Sequence, residues 1–118
     1  MFRHRSYIDN GIKAPGHSDN PVCTVNPFKT MWSMVNRKSM MGDDGDISEA
    51  VTITEALNAY TMLGAWAGRE EDTKGRLLPG MLADIAILDR DIFTIASDEI
   101  KDVQVTNTIL DGKVAFKR

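Results

Sequence analysis

One carboxylate in this sequence stands where enzymes commonly present a catalytic group. Asp19 lies in a polar turn from Gly16 to Val22, directly after a short run that ends at Pro15. In α/β enzymes, catalytic carboxylates are often found where an extended segment stops and a loop begins. Close to a divalent cation that lowers the pKa of bound water, such a carboxylate can act as a general base near neutral pH. Asp19 is therefore the candidate catalytic residue.

The same residue also has a purely structural explanation. Asp side chains frequently stabilise turns by accepting hydrogen bonds from nearby backbone N–H groups. Asp19 precedes the Asn20-Pro21 pair, which marks such a turn. The residue types alone leave the catalytic role and the turn-stabilising role equally open.

Few other side chains could perform chemistry. Cys23 is the only cysteine, and because no base is evident nearby, we expect a small buried residue near a turn rather than a nucleophile. A single cysteine forms no internal disulfide, which fits a reducing compartment. The acidic loop with Asp43, Asp44 and Asp46 lacks the ligand spacing of an EF-hand, so it is interpreted as a solvated loop.

A small metal site of His4, His17 and Asp19 is a further alternative. The chain has no other histidine. We expect His4 to lie on a helix and to face a different direction, which disfavours this site. Clustered methionines could bind a soft metal but are more typical of gap-filling in a core; they are Met31, Met34, Met40 and Met41.

Composition excludes several classes of function. The chain has 118 residues, 42% of them hydrophobic, which predicts one soluble globular core. The formal charge of −3, without a basic cluster, argues against nucleic acid as a partner. No apolar run approaches the ~20 residues of a membrane span, and no signal peptide follows the first residues. We expect a cytoplasmic protein without a membrane partner.

The first part of the chain is predicted to be mainly helical. A helix stops at Gly11, and Ile12-Lys13-Ala14 forms a short, weak strand. A second helix runs from Pro27 to about Arg37 with Asn26 as its N-cap. Its core face carries Phe28, Met31, Trp32 and Val35. Thr52 and Glu55 form a capping box for a third helix, which runs from Ile53 to about Leu63 and is broken by Gly64.

The second part is predicted to be a small antiparallel sheet. The segment from Ala83 to Leu88 is interpreted as a strand covered on both faces. One helical turn begins near Ser97. Two further strands flank Asp111-Gly112, which is typical of a type I′ hairpin. These patterns divide the chain into residues 1–76 and 77–118.

Several of these segments match one family in order along nearly the whole chain. They are Ser18-Asp19-x-Pro21-Val22, Thr52-Ile53-Thr54-Glu55-Ala56-Leu57-x-x-Tyr60-Thr61, Gly75-Arg76-Leu77-x-Pro79-Gly80-Met81-Leu82-Ala83-Asp84-Ile85, Asp89-Arg90-Asp91 and Gly112-Lys113-Val114. The chain resembles the C-terminal portion of a metal-dependent hydrolase of the amidohydrolase superfamily, in particular its amidohydrolase 3 group. The block from Gly75 to Asp84 is the most specific.

The resemblance implies an α/β fold: the C-terminal fragment of a (β/α)8 barrel, with its last strand and following helices, plus the C-terminal half of a small β-sandwich domain. Residues 1–76 would belong to the barrel, with Gly11 to Ser18 as its eighth strand, and residues 77–118 to the sandwich. Asp19 would take the place of the strand-eight aspartate, which contacts a divalent metal, expected to be zinc, and transfers protons during hydrolysis of carbon–nitrogen bonds.

The resemblance also implies that much of the site lies outside this sequence. The family's paired histidines, bridging residue and later histidines would precede Met1, and a closed barrel of this kind needs about 250 residues. We therefore expect the isolated chain to be inactive and not to bind the metal alone, with a small molecule as substrate of the full enzyme. The alternative is a non-catalytic interaction module that pairs with another chain, such as a second copy, through exposed sheet edges.

Overall fold

The computed structural model describes residues 2–118, so Met1 lies outside it. Helices occupy the first part of the chain and a small sheet the second, which confirms a mixed α and β architecture. The α-helices are α1 (His4–Asp9), α2 (Pro27–Asn36), α3 (Ile53–Tyr60) and α4 (Met62–Ala67), and the strands are β1 (Ile85–Leu88), β2 (Val105–Leu110) and β3 (Lys113–Lys117). Two 3₁₀ helices span Ile47–Glu49 and Ser97–Asp102. None of the helices described is long and apolar enough to cross a membrane.

Helix α2 is the centre of the core, as its apolar spacing predicts. The Asn26 side chain accepts a hydrogen bond from the Phe28 backbone N–H at 2.9 Å, which confirms the predicted N-cap. The buried face of α2 packs against the second 3₁₀ helix, where the indole N–H of Trp32 donates to Asp98 at 3.1 Å. The core joins both parts of the chain: Phe28, Met31, Trp32, Met34, Val51, Ala56, Ala59, Ile92, Ile100 and Val103.

The sheet is antiparallel throughout, with the strand order β1-β2-β3. The predicted hairpin is confirmed: Asp111 and Gly112 join β2 to β3 with φ angles of 47° and 75°, the two positive values of a type I′ turn. The predicted helical turn after Ala96 is also present, as the second 3₁₀ helix.

The prediction of a strand covered on both faces is wrong. The strand begins at Ile85 rather than Ala83, and the Ile87 side chain is 45% exposed. An antiparallel sheet can leave one face in water when nothing packs on it, and within residues 2–118 several apolar side chains of the sheet stay exposed, namely Ile87, Leu110, Val114 and Phe116.

The break after α3 lies at Thr61 and not at Gly64. The Thr52–Glu55 capping box is confirmed, but α3 ends at Tyr60 and α4 already includes Gly64. The Thr61 hydroxyl donates to the Leu57 carbonyl at 2.9 Å, and the Thr61 backbone leaves the helical region at φ −113° and ψ −86°. Threonine bonds of this kind to the preceding turn bend helices, which explains the position of the break.

Residues 12–18 do not form the predicted strand. The segment has no ladder partner within residues 2–118. Two backbone bonds hold it, from the Ile12 N–H to the Tyr7 carbonyl at 2.8 Å and from the Gly16 N–H to the Ala59 carbonyl at 2.9 Å. Lys13 and Ala14 are poor strand formers and Pro15 has no N–H to donate, so a neighbouring strand would be needed to hold this segment extended.

Candidate functional site

Asp19 lies in the loop between residues 12–18 and α2, with its side chain exposed. Its φ of 52° lies in the left-handed region, which aspartate tolerates better than most residues. The turn is closed by other groups: the Asp19 carbonyl accepts from the Val22 N–H at 2.8 Å, and the Asn20 side-chain amide donates to the Cys23 carbonyl at 3.2 Å. Within residues 2–118 the Asp19 carboxylate accepts no hydrogen bond that would tie it to the turn. It is therefore available to a ligand.

Asp19 lines a cavity of about 880 Å³. Its walls come from α1, the 14–19 segment, the face of α2 that carries Lys29 and Ser33, and the turn after α2. Among the described residues, six further side chains that line the cavity can ionise: His4, Tyr7, His17, Cys23, Lys29 and Arg37. The cavity is large enough for a small-molecule substrate.

The two histidines line the same cavity, contrary to the prediction that His4 faces a different direction. The Phe2 ring contacts both, with centroids 6.5 Å from the His4 ring and 5.8 Å from the His17 ring. Burial lowers the pKa of His4, and the positive charge of Arg37 lowers it further. Phe2 folds the start of α1 over the 14–19 segment, a contact that sequence spacing does not reveal.

These residues nevertheless do not form a metal site by themselves. Among residues 2–118 no group of three His, Cys, Asp or Glu side chains is arranged to hold a metal ion. A catalytic zinc requires three protein ligands. The cavity therefore does not fit a complete metal centre, and Asp19 could supply one ligand at most.

Arg37 is a functional candidate that sequence reasoning missed. Its side chain is only 3% exposed, although it carries a full positive charge. The guanidinium is held by two backbone carbonyls: Nε donates to Asp46 at 3.0 Å and Nη1 to Phe2 at 2.9 Å. Arg37 follows α2 with a left-handed φ of 54°, which turns the chain toward Asp46. Neither contact is visible as a local pattern.

The Asp19 loop is positioned from α3. Besides the backbone bond from Gly16 to Ala59, the Gly16 backbone lies directly on the Tyr60 ring, where a Cβ atom at residue 16 would be 2.4 Å from Cε2. The Tyr60 hydroxyl is buried without a hydrogen-bond partner within residues 2–118, and burial raises its pKa. The Tyr60 ring thus supports the segment that leads to Asp19.

Helix α1 is held in place by two carboxylates. Glu49 is buried and accepts hydrogen bonds from the Ser6 hydroxyl and, at 3.0 Å, from the Ser6 backbone N–H. These bonds, the hydroxyl bond foremost, lower the pKa of Glu49. Arg5 forms an ion pair with Glu55 at 2.8 Å and so joins α1 to the start of α3. The side chains of α1 thereby keep His4 at the cavity.

The structure also tests the predictions for Cys23, the acidic loop and the clustered methionines. Cys23 is exposed and not buried, because the loop around it has no covering element within residues 2–118. The acidic loop is solvated as predicted, and Asp46 caps the first 3₁₀ helix. Met31 and Met34 fill the core as predicted, whereas Met40 and Met41 are exposed, since they follow the end of α2 and leave the core.

Comparison with known proteins gives one family. The model described as amidohydrolase family matches residues 1–116. The chain is 36% identical over 118 residues to the N-substituted formamide deformylase of Arthrobacter pascens, with 100% of this chain and 22% of that protein covered. It is 28% identical over 120 residues to the putative amidohydrolase YtcJ of Bacillus subtilis (strain 168), with 99% and 23% covered.

A plant protein gives a similar result. The chain is 34% identical over 108 residues to the protein LONG AFTER FAR-RED 3 of Arabidopsis thaliana, with 91% of this chain and 18% of that protein covered. The chain thus spans about a fifth of the length of these relatives. No solved structure matches it.

Proposed function

Because this chain belongs to the amidohydrolase family, as its motifs indicated, we propose that it is part of a metal-dependent enzyme that hydrolyses carbon–nitrogen bonds in small molecules. Two relatives have names consistent with such chemistry, a deformylase and an amidohydrolase. Since the chain spans about a fifth of these relatives, the proposal concerns a longer enzyme, and the isolated chain is expected to be inactive.

Asp19 is proposed as the proton-transfer residue of this enzyme. Its carboxylate is exposed at a cavity of substrate size and has no structural hydrogen bond within residues 2–118. In the proposed step, Asp19 accepts a proton from water as the water oxygen bonds to the carbonyl carbon. It returns that proton to the leaving nitrogen when the carbon–nitrogen bond breaks. The free carboxylate at the cavity is the observation that carries the proposal.

The proposed surroundings of Asp19 follow the family pattern. Residues 1–76 would form the end of a (β/α)8 barrel and residues 77–118 half of a small sandwich domain. Asp19 would also contact a divalent metal, with zinc as the expected ion. Because residues 2–118 do not contain a three-ligand group, the remaining ligands of that ion would come from other parts of the longer enzyme.

A chimeric enzyme tests the role of Asp19. This chain would replace the matching segment of the Arthrobacter pascens relative, to which it is aligned along its whole length, and hydrolysis of an N-substituted formamide would be measured. Asp19→Asn keeps the size of the side chain but removes the base, so we expect kcat to fall at least about 100-fold. Asp43→Asn, in the solvated loop, should leave kcat unchanged. Retained activity in folded Asp19→Asn would overturn the role.

The isolated chain provides a second test. We expect elemental analysis of the purified 118-residue chain to find no stoichiometric zinc, because its described residues do not form a three-ligand site. Tight binding of one zinc ion per chain would contradict the proposal that the remaining ligands come from elsewhere in a longer enzyme.

An interaction module is the second candidate, favoured by the exposed sheet. Strands β1 and β3 are both edges of the three-stranded sheet, and all five residues of β3 are exposed. Free edges can pair with a strand of another chain. Light scattering after size-exclusion chromatography distinguishes the candidates, since a monomer at all concentrations would argue against pairing between copies of this chain.

A further inference from the structure

Arg37 carries a buried charge that residues 2–118 do not neutralise. Its guanidinium forms no ion pair among them and donates only to the backbone carbonyls of Asp46 and Phe2. Removal of a charge from water is costly unless an opposite charge or good hydrogen bonds compensate for it. Two of the five N–H groups of the guanidinium are satisfied in this way, which leaves donors for a further acceptor.

The charges around Arg37 favour the binding of an anion. Among residues 2–118, Asp19 supplies the one carboxylate that lines the cavity, whereas Lys29 and Arg37 supply two cations. The nearby Asp46 carboxylate accepts from the Ser48 N–H at 2.9 Å and from the Ser48 hydroxyl at 2.7 Å, so its charge attracts Arg37 without forming an ion pair with the guanidinium. The lowered pKa of His4, due in part to the charge of Arg37, agrees with a positive potential at this wall.

We propose that Arg37 binds a carboxylate group in this cavity, with Lys29 contributing long-range attraction. Guanidinium and carboxylate groups form strong, charge-assisted hydrogen bonds of defined geometry. Lys29 and Arg37 are eight residues apart, or about 12 Å along a helix, so one carboxylate contacts Arg37 alone. The carboxylate has two possible sources: a small-molecule ligand, or an Asp or Glu side chain of a longer polypeptide.

Binding of benzoate to the whole 118-residue chain tests the site without any mutation. Benzamide has nearly the same shape but no charge, and serves as the matched control ligand. We expect saturable shifts of the Arg37 Nε–Hε resonance with benzoate, with a Kd of about a millimolar, and at least about tenfold weaker binding of benzamide. Equal binding of both ligands, or no saturable response to benzoate, would overturn the proposal.

Substitutions then test how much Arg37 and Lys29 each contribute to benzoate binding. Arg37→Gln should weaken benzoate binding at least about tenfold, and Lys29→Gln by about two- to threefold, because its charge acts at longer range. Arg76→Gln, at an exposed arginine outside the cavity, is the control and should bind as the unmodified chain does. If Arg37→Gln does not fold, Lys29→Gln and the comparison of benzoate with benzamide still decide the outcome.

The chimeric enzyme distinguishes the sources of the carboxylate. If benzoate binds to Arg37 both in the isolated chain and in the chimera, the site is open to a small-molecule carboxylate. If it binds only in the isolated chain, a side chain of the longer polypeptide occupies the same position. This assay measures binding and not hydrolysis, so its failure would be separate from a failure of the proposed activity.

Discussion

Gly16 determines how closely the segment before Asp19 approaches α3. The missing side chain lets the backbone lie on the Tyr60 ring, whereas an added Cβ would be 2.4 Å from Cε2. Because that ring is packed against the core, it cannot move aside freely. We predict that Gly16→Ala lowers the free energy of unfolding by about 1–3 kcal/mol, the usual cost of overpacking. Urea denaturation would measure this change.

Gly64 provides the matched control for Gly16→Ala. It lies within α4, and an added Cβ would contact nothing within 4 Å. Gly64→Ala should therefore raise the free energy of unfolding by about 0.5–1 kcal/mol, since alanine is the better helix former. Tyr60→Leu should reduce the cost of Gly16→Ala in a double-mutant cycle. An unchanged cost in that background would show that the ring is not the obstacle.

Glu49 should make the position of α1 sensitive to acid. Hydrogen bonds from the Ser6 hydroxyl and N–H lower the pKa of Glu49 below its ordinary value of 4.5. A carboxylate with a lowered folded-state pKa stabilises the fold above the unfolded-state pKa, and this stabilisation is lost as the pH falls through the folded-state value. We predict that Ser6→Ala raises the pKa of Glu49 toward 4.5, as measured by NMR of its carboxyl carbon.

The stability of the same variant gives a second measurement. Ser6→Ala should lower the urea midpoint at neutral pH and reduce the further loss of stability below pH 4.5. Ser48→Ala is the control, because Ser48 lowers the pKa of Asp46 by the same kind of hydrogen bonds. Ser48→Ala should raise the pKa of Asp46 and leave the pKa of Glu49 unchanged. If Ser6→Ala leaves the Glu49 titration unchanged, these bonds do not hold α1 in solution.

At the level of single elements, the stability of α3 depends on the capping box in its first turn. The Thr52 hydroxyl accepts from the Glu55 N–H at 3.2 Å, and the Glu55 carboxylate accepts from the Thr52 N–H at 2.8 Å. Thr52→Ala removes one half of this box and should lower the free energy of unfolding by about 1 kcal/mol. Thr54→Ala, an exposed position in the same turn, should change it by less than about 0.5 kcal/mol. Thermal denaturation of both variants would show whether the loss of stability comes from the missing cap or from a change in helix propensity.

The elements that the sequence predicts well are those specified by neighbouring residues. The Asn26 cap, the Thr52–Glu55 box and the Asp111-Gly112 turn each require only a few consecutive residues, and all three are present. The core face of α2 follows from a repeat within one helix, and Phe28, Met31 and Trp32 are buried as predicted. These local structures are present in the folded chain because tertiary packing favours the same backbone conformations as the local sequence does.

Features that depend on distant contacts could not be predicted. The buried site of Arg37 depends on the Phe2 carbonyl, 35 residues away, and that of Glu49 on Ser6, 43 residues away. Ile12 to Ala14 were predicted as a short strand, and the family resemblance implied a strand from Gly11 to Ser18, but strand pairing needs a partner, and residues 2–118 do not supply one. At the candidate site, the sequence thus proposed Asp19 as a candidate but gave no signal for the buried cation, Arg37, or for the carboxylates around its cavity, Glu49 and Glu55.

For the molecule as a whole, the core crosses the division predicted at residue 76. Ile92, Ile100 and Val103 pack in one cluster with Phe28 and Trp32. The Asn36 side chain adds a polar link, since its amide donates to the Ser97 carbonyl at 3.0 Å and its carbonyl accepts from the Ser97 hydroxyl at 2.8 Å. A core shared in this way couples the stability of α2 to that of the second 3₁₀ helix.

A substitution in the second 3₁₀ helix should therefore destabilise the first part of the chain as well. Ile100 is 2% exposed, so Ile100→Ala creates a cavity and should cost about 2–5 kcal/mol. Helical circular dichroism reports mainly on α1 to α4, and the fluorescence of Trp32 reports on its contact with the second 3₁₀ helix, where its indole N–H donates to Asp98. Both signals should be lost at one common, lowered urea midpoint, with Trp66→Phe as the background so that Trp32 is the only fluorophore of this type. Val114→Ala, on the exposed strand β3, should change the free energy of unfolding by less than about 0.5 kcal/mol. If Ile100→Ala separated the two signals into distinct transitions, residues 1–76 would be stable without the packing of Ile100, and the shared core would not be the unit of folding.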